Sequence, residues 1–148
     1  MTDSPLHITF DVDCPPRHAF AVWTGQIGAW WPRDHTVSGG PDDIVLESRR
    51  GGQIYETSAG VKHTWGEVTV WEPPRRLAYL WHLGRDRAEA TEVEIRFVDD
   101  GGDRTRIVIE HRGWERLGDS AGTWRDRNRA GWSSLLPYFS KALEKGAV

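Results

Sequence analysis

His111 is the residue best placed to do chemistry. It closes the alternating run TRIVIEH and is followed by Arg112, Gly113 and Trp114. In a regular strand, Ile107, Ile109 and His111 share one face, and that face reads as the inner one. An imidazole at a cavity mouth would serve as general acid or base near neutral pH. The plainer alternative is a buried histidine bonded to a backbone carbonyl or to a neighbouring helix. The aromatic residues form the second group. Among nine tryptophans, Trp65, Trp81, Trp114 and Trp132, with Tyr79, are candidates to line a ligand pocket. The alternative is ordinary core, because an indole buries much apolar area.

Parity narrows the choice. In RLAYLWH, Leu77, Tyr79 and Trp81 share the bulkier face, which is assigned inward. In HTWGEVTVW, Gly66, Val68 and Val70 form the smoother apolar set. If that set is inward, Trp65 and Trp71 lie on the outer side. Trp30 and Trp31 are adjacent in GQIGAWWP. Successive residues on a helix point about 100° apart, so the two indoles cannot share a face. Trp31 lies four residues after Ile27 and is expected to be the packed one. Trp30 is expected to be more exposed and to touch the cavity.

Other constellations carry less. Glu47 precedes Gly51 and Gly52 in an E-x-x-x-G-G stretch. It reads as a strand-end glutamate held by Arg49, Arg50 or the turn, with a cavity carboxylate as the alternative. The six histidines show no H-x-H, H-x-x-x-H or cysteine–histidine spacing, so no metal site or other cofactor is signalled. Cys14 precedes two prolines and reads as structural. There is no G-x-S-x-G and no phosphate-cradling glycine loop. Arg75 and Arg76, and the Arg125, Arg127 and Arg129 cluster, read as solvated faces.

Composition sets outer bounds. The formal net charge of -3 over 148 residues argues against a general nucleic-acid binder. The length suits one domain. A single cysteine excludes an intrachain disulfide and fits a cytoplasmic protein. The N-terminus lacks the pattern of a signal peptide, and no window approaches the roughly 18 apolar residues of a membrane span.

The elements that must position these residues can be read in order. Leu6 to Asp13 alternates as a half-buried strand with Ile8, Phe10 and Val12 on one face. Pro15 and Pro16 end it and suit the first turn of a helix. A second short helix is predicted over Gly25 to Trp31, followed by a loop over residues 33–43. Six strands follow: IVLES, QIYETS, HTWGEVTVW, RLAYLWH, TEVEIRFV and TRIVIEH. Residues 84–90 form a charged loop between the fourth and fifth of these. Trp124, Asn128, Trp132, Leu135, Leu136, Phe139 and Leu143 step by three or four and mark a long C-terminal helix. Asp119 or Ser120 is placed to cap it, and Pro137 to kink it. The predicted architecture is α+β: a curved antiparallel sheet wrapped around the long helix, two short helices after the first strand, and a cavity between sheet and helix.

This order resembles the helix-grip fold of the START-like, or SRPBCC, superfamily, which includes the birch pollen allergen. More closely, the chain resembles the branch named after the activator of the heat-shock protein 90 ATPase. The matching pieces are WTGQIGAWWP, IVLESRRGGQIYE, HTWGEVTVWEPPRRLAYLW, TEVEIRF, TRIVIEHRGW and GWSSLLPYF, which cover nearly the whole chain in family order. The resemblance implies a fold and a cavity. Superfamily relatives bind lipids, polyketides or hormones, and some are cyclases or dehydratases. The co-chaperone that names the branch carries an additional N-terminal domain, whereas this chain opens directly on its first strand, which argues against a chaperone partner.

The expected function is binding of a small hydrophobic or aromatic molecule by a monomer or homodimer. Trp30, Tyr79, Trp81, His111, Trp114, Trp132 and Leu136 are the expected ligand contacts. The alternatives are a protein-interaction module with an apolar outer sheet face, for which Trp65, Trp71 and Val108 are the candidates, and a cyclase or dehydratase using His111 for proton transfer.

Overall fold

The computed structural model describes residues 4–83 and 86–146. Seven strands form one antiparallel sheet in the order β1-β7-β6-β5-β4-β3-β2. They are β1 (Leu6–Val12), β2 (Asp43–Leu46), β3 (Gln53–Ser58), β4 (Val61–Glu72), β5 (Arg76–Trp81), β6 (Thr91–Asp99) and β7 (Thr105–Arg112). Strands β2 to β7 make the predicted meander, and β1 pairs with β7 along its whole length. Two short helices, α1 (Pro16–Gly25) and α2 (Ile27–Trp30), follow β1, and α3 (Ala121–Gly146) lies against the sheet. The described part of the charged 84–90 segment is a 3-10 turn over Arg87–Glu89, while residues 84 and 85 lie outside the described residues.

The core forms where the predicted faces meet. Trp132, Leu135, Phe139 and Leu143 of α3 are buried, as their spacing requires, and Pro137 lies within the helix. Phe139 packs its ring edge against Trp23 of α1 at 4.8 Å. No cap comes from a simple Asp119 or Ser120 turn. A 3-10 run over Trp114–Ser120 leads into α3 instead, entered at Gly113 with φ 92°. That left-handed value suits glycine, which lacks a Cβ to clash.

Strand β4 departs from the parity reading. It carries two bulges: Trp65 is passed over in the pairing with β3, and Thr69 in the pairing with β5. Each extra residue turns the strand by half a pleat. Trp65, Val68 and Trp71 therefore share the inner side, three residues apart. Trp65 and Val68 are buried, and Trp71 packs on Phe20 at 5.0 Å. The expectation that Trp65 and Trp71 would be outward is thus corrected.

Gly66 sits in the first bulge, where a Cβ would fall 2.0 Å from the Leu80 carbonyl oxygen. Gly66→Ala should force β4 and β5 apart and cost about 3 kcal/mol in urea unfolding. A loss within the range of ordinary surface substitutions would show that the strands separate freely there.

The outer sheet face is a ladder of charge. Arg76 and Arg112 donate to Glu94 at 2.5 and 3.2 Å, and Arg112 also reaches Glu92 and Glu110. Burial pushes the Glu94 carboxyl up, but its bonds to Arg76 and Arg112 outweigh this and hold it low. Of the three interaction-module candidates, Trp65 and Trp71 face inward and Val108 is half-buried among these charges. No described helix is long and apolar enough to cross a membrane.

Candidate functional site

Where the ends of β5 and β6 meet the first half of α3, the sheet and helix do not close on each other. The space between them is a cavity of about 200 Å³. Its walls are mainly indoles: Trp81 from β5, Trp114 from the 3-10 run, Trp124 and Trp132 from α3, and Trp31 from the end of α2. Leu83, Leu117 and Leu135 fill the gaps between rings. The buried polar groups of the lining are His82 and Thr91, while half-buried His35, Glu89 and Asn128 and exposed Arg127 mark the side that opens to solvent.

The local sequence explains this shape. Trp31 is the residue at which α2 stops, with an extended backbone (φ -66°, ψ 126°) ahead of Pro32. Leaving the helix swings its ring away from that of Trp30. The two rings stay in contact at 5.5 Å but serve different surroundings. Trp30 packs on Trp23 and Phe139 and donates its ring N–H to the Val22 carbonyl at 3.1 Å. Trp31 packs on Trp65 and Trp81 and donates to the His35 carbonyl at 2.9 Å. The expected assignment is reversed: both are buried, Trp30 is the core residue, and Trp31 borders the cavity. Trp30→Ala should cost about 3–5 kcal/mol without altering the cavity. Trp31→Ala should enlarge it and admit bulkier ligands. Identical effects of the two variants on ligand size preference would contradict this division.

His111 stands one layer behind the wall, with no exposed surface. Its environment fixes its protonation. The Trp132 ring N–H donates to Nδ1 at 3.1 Å. An indole has no acceptor to offer, so Nδ1 carries no proton and Nε2 does. The Nε2–H then donates to Thr91 Oγ1 at 2.7 Å, and the Thr91 hydroxyl donates onward to the Trp81 carbonyl at 3.3 Å. The chain of donors closes with both ring nitrogens occupied. The His111 carbonyl also accepts the Trp114 ring N–H at 2.9 Å. Burial pushes the imidazole down to about 3, so it stays neutral at physiological pH. His111 therefore braces three pieces of the wall, Thr91, Trp114 and Trp132, without touching the space they enclose.

Of the expected contacts, Trp81, Trp114 and Trp132 line the cavity. Four do not, and each for a physical reason. Trp30 is core, as above. Tyr79 lies two residues deeper along β5 and is buried against Trp81 at 5.6 Å. His111 is sealed behind its partners. Leu136 points around α3 from Leu135, which takes its place on the wall. Glu47 has the structural role: its carboxylate accepts the Gln53 N–H at 2.7 Å across the turn.

Two functional positions escaped the sequence reading although strand parity marks them. Thr91 shares the inner face of β6 with Val93, Ile95 and Phe97, and its burial follows. Glu56 shares the inner face of β3 with Ile54, and it too is fully buried. Its carboxylate accepts from Val37 N–H at 2.5 Å, from the N–H and hydroxyl of Ser38 at 3.1 and 2.6 Å, and from Trp65 Nε1–H at 2.8 Å. Burial pushes this acid up, yet the four donors outweigh it and hold the carboxyl below its ordinary value. Glu56 thus ties the loop that supplies His35 to the indole that backs Trp31 and Trp81.

No group of three or more histidine, cysteine or acidic residues that would hold a metal occurs among the described residues. No curated protein matches the chain. Among solved structures, an anthrahydroquino-gamma-pyrone synthase is similar at 31% identity and TM-score 0.59, with 82% of each chain covered. The self-sacrificing resistance protein CalC from Micromonospora echinospora is similar at 25% identity and TM-score 0.72, with 99% of each covered. An HSP90 activator from Plasmodium falciparum shares the fold at 17% identity and TM-score 0.69, with 95% of this chain and 96% of that chain covered. The helix-grip arrangement agrees with these likenesses, and with residues 13–144 matching it, the chain belongs to the Activator of Hsp90 ATPase homolog 1-like protein family.

Proposed function

We propose that the protein binds a small hydrophobic or aromatic molecule in the cavity between the sheet and α3. The observation that carries this reading is the cavity wall, where five indoles surround an apolar space of about 200 Å³. A close-packed core leaves few voids larger than a water molecule, so a space of this size is not ordinary packing. Here the ring N–H groups of Trp31, Trp114 and Trp132 are bonded to other protein groups, which fixes those three rings in the wall. We read residues 1–148 as one such domain, cytoplasmic and acting without a cofactor.

Gly131 offers a clean test. It lines the cavity, and a Cβ there would meet nothing within 4 Å. Gly131→Phe should fill the cavity and abolish binding. Helix propensity alone favours replacing this glycine by about 0.5–1 kcal/mol, so stability should hold. Titration with a panel of hydrophobic and aromatic compounds, followed by calorimetry and indole fluorescence, should give saturable binding to the wild type and none to the variant. Binding that survives in the variant would place the ligand elsewhere.

A second reading, catalysis of the cyclase or dehydratase kind, draws support from the likeness to the synthase. The sealed His111 does not support its use as the proton-transfer group. An acid or base would come from the wall itself, where His35, His82 and Glu89 stand. Substrate turnover lost in His82→Gln but kept in His111→Gln would favour it.

A further inference from the structure

We propose that the ligand of this cavity is a one- or two-ring aromatic carboxylate, bound with its rings inside and its carboxylate at the entrance beside Arg127. The inference rests on the binding reading above and adds size, charge and orientation to it.

Size comes first. A cavity of about 200 Å³ is below the roughly 300–1,000 Å³ of sites that take drug-sized molecules. The walls are also braced from behind, so they cannot spread without breaking bonds. A one- or two-ring body is the size that a space of about 200 Å³ encloses, and a larger fused system would have to press on the braced walls or protrude through the mouth.

The interior is flat and chemically quiet. The ring N–H of Trp31 is spent on His35, that of Trp114 on the His111 carbonyl, and that of Trp132 on His111 Nδ1. The Thr91 hydroxyl is engaged on both sides. What these residues present to a ligand is ring surface. Aromatic rings pair favourably with such surfaces in offset or edge-to-face contacts. A charge placed among them would lose its hydration without gaining a partner.

The entrance differs. The Arg127 guanidinium lies over the Trp124 ring, 5.0 Å from its centroid. Among the described residues it has no carboxylate partner. The His35 ring, also in the lining, is taken by Asp34 at 2.8 Å. A guanidinium held on an indole face keeps its in-plane N–H fork free, and that fork matches a carboxylate. An aromatic body inside and an anionic edge at Arg127 satisfy both ends of the site.

The test compares naphthoate, its neutral isostere naphthamide, and the four-ring pyrenecarboxylate by calorimetry. Wild type, Arg127→Gln and Gly131→Phe are titrated after thermal unfolding shows that each variant is folded. Wild type should bind naphthoate about threefold to fivefold more tightly than naphthamide, the range of a partly exposed ion pair. In Arg127→Gln the two affinities should become equal, because only naphthoate weakens. Pyrenecarboxylate should not bind, and Gly131→Phe should bind none of the three.

Equal affinities for naphthoate and naphthamide in the wild type, or a preference that persists in Arg127→Gln, would overturn the charge assignment and leave hydrophobic binding standing. Tighter binding of pyrenecarboxylate than of naphthoate would overturn the size class alone. Failure of every compound in both this set and the wider panel would bring down the binding reading with it.

Discussion

His111→Gln should become progressively less harmful, relative to the wild type, as the pH falls. The histidine is depressed from 6.5 to about 3 by burial. Above pH 6.5 it is neutral in both folded and unfolded protein and contributes no pH dependence. Between 6.5 and about 3 the unfolded chain takes up a proton that the folded protein refuses. Unfolding therefore binds protons, and stability falls with the pH. The size of the shift corresponds to about 5 kcal/mol at the acid end. Glutamine does not titrate, so the variant lacks this component.

Near neutrality the same substitution should cost about 1–3 kcal/mol, because Trp132 or Thr91 loses a well-placed partner. Urea unfolding of both proteins above pH 6.5 and at about pH 4 measures the gap. A gap that stays constant would mean that the imidazole protonates normally in the fold, and the closed chain through Thr91 and Trp132 would be refuted. Glu56 and Glu94, both held low, also lose their stabilising bonds as the pH falls through their folded values. They do so equally in the two proteins and cancel in the comparison.

Glu56→Ala should destabilise the fold by about 4 kcal/mol, a large share of the total for a domain of this size. The substitution strands Val37 N–H, Ser38 N–H, the Ser38 hydroxyl and the Trp65 ring N–H at once. Glu56→Gln should lose less. Its amide oxygen still accepts, while its NH2 faces donors that need an acceptor. Hydrogen exchange reports the local consequence: the Val37 and Ser38 amides should exchange faster in both variants than the strand amides of β6. Unchanged protection of those two amides in Glu56→Ala would show that the loop is held by other contacts. Because the loop brings His35 to the cavity, Glu56→Gln should also weaken ligand binding by more than its stability loss explains.

The element order was legible in the sequence, for reasons specific to each stretch. TEVEIRFV and TRIVIEH alternate so regularly that their inner faces follow from parity, and β6 and β7 pair without a break from Glu92 with Arg112 to Asp99 with Thr105. The α3 stripe follows from helical periodicity. The same parity rule failed in β4, where two inserted residues reset it, and nothing in HTWGEVTVW marks a bulge except Gly66. That α2 stops near Pro32 was legible, but the sequence kept Trp31 on the helix, whereas the helix ends at Trp30 and Trp31 is extended. Which indole the break would turn toward the cavity was not legible, because that depends on how α2 sits against β2 and α3.

The sequence alone determined that a curved antiparallel sheet would cover a long helix, since each element exposes one apolar face and only that arrangement buries all of them. It also offered Trp81, Trp114 and Trp132 among the candidates to line a cavity between sheet and helix. Only the tertiary structure decided what His111 does. Its neutrality follows from burial, and its tautomer from a donor on α3 and an acceptor on β6, Trp132 and Thr91, which lie 21 and 20 residues away. Burial and the direction of two hydrogen bonds, neither of them a local property of TRIVIEH, turn a candidate proton donor into the brace of a binding site.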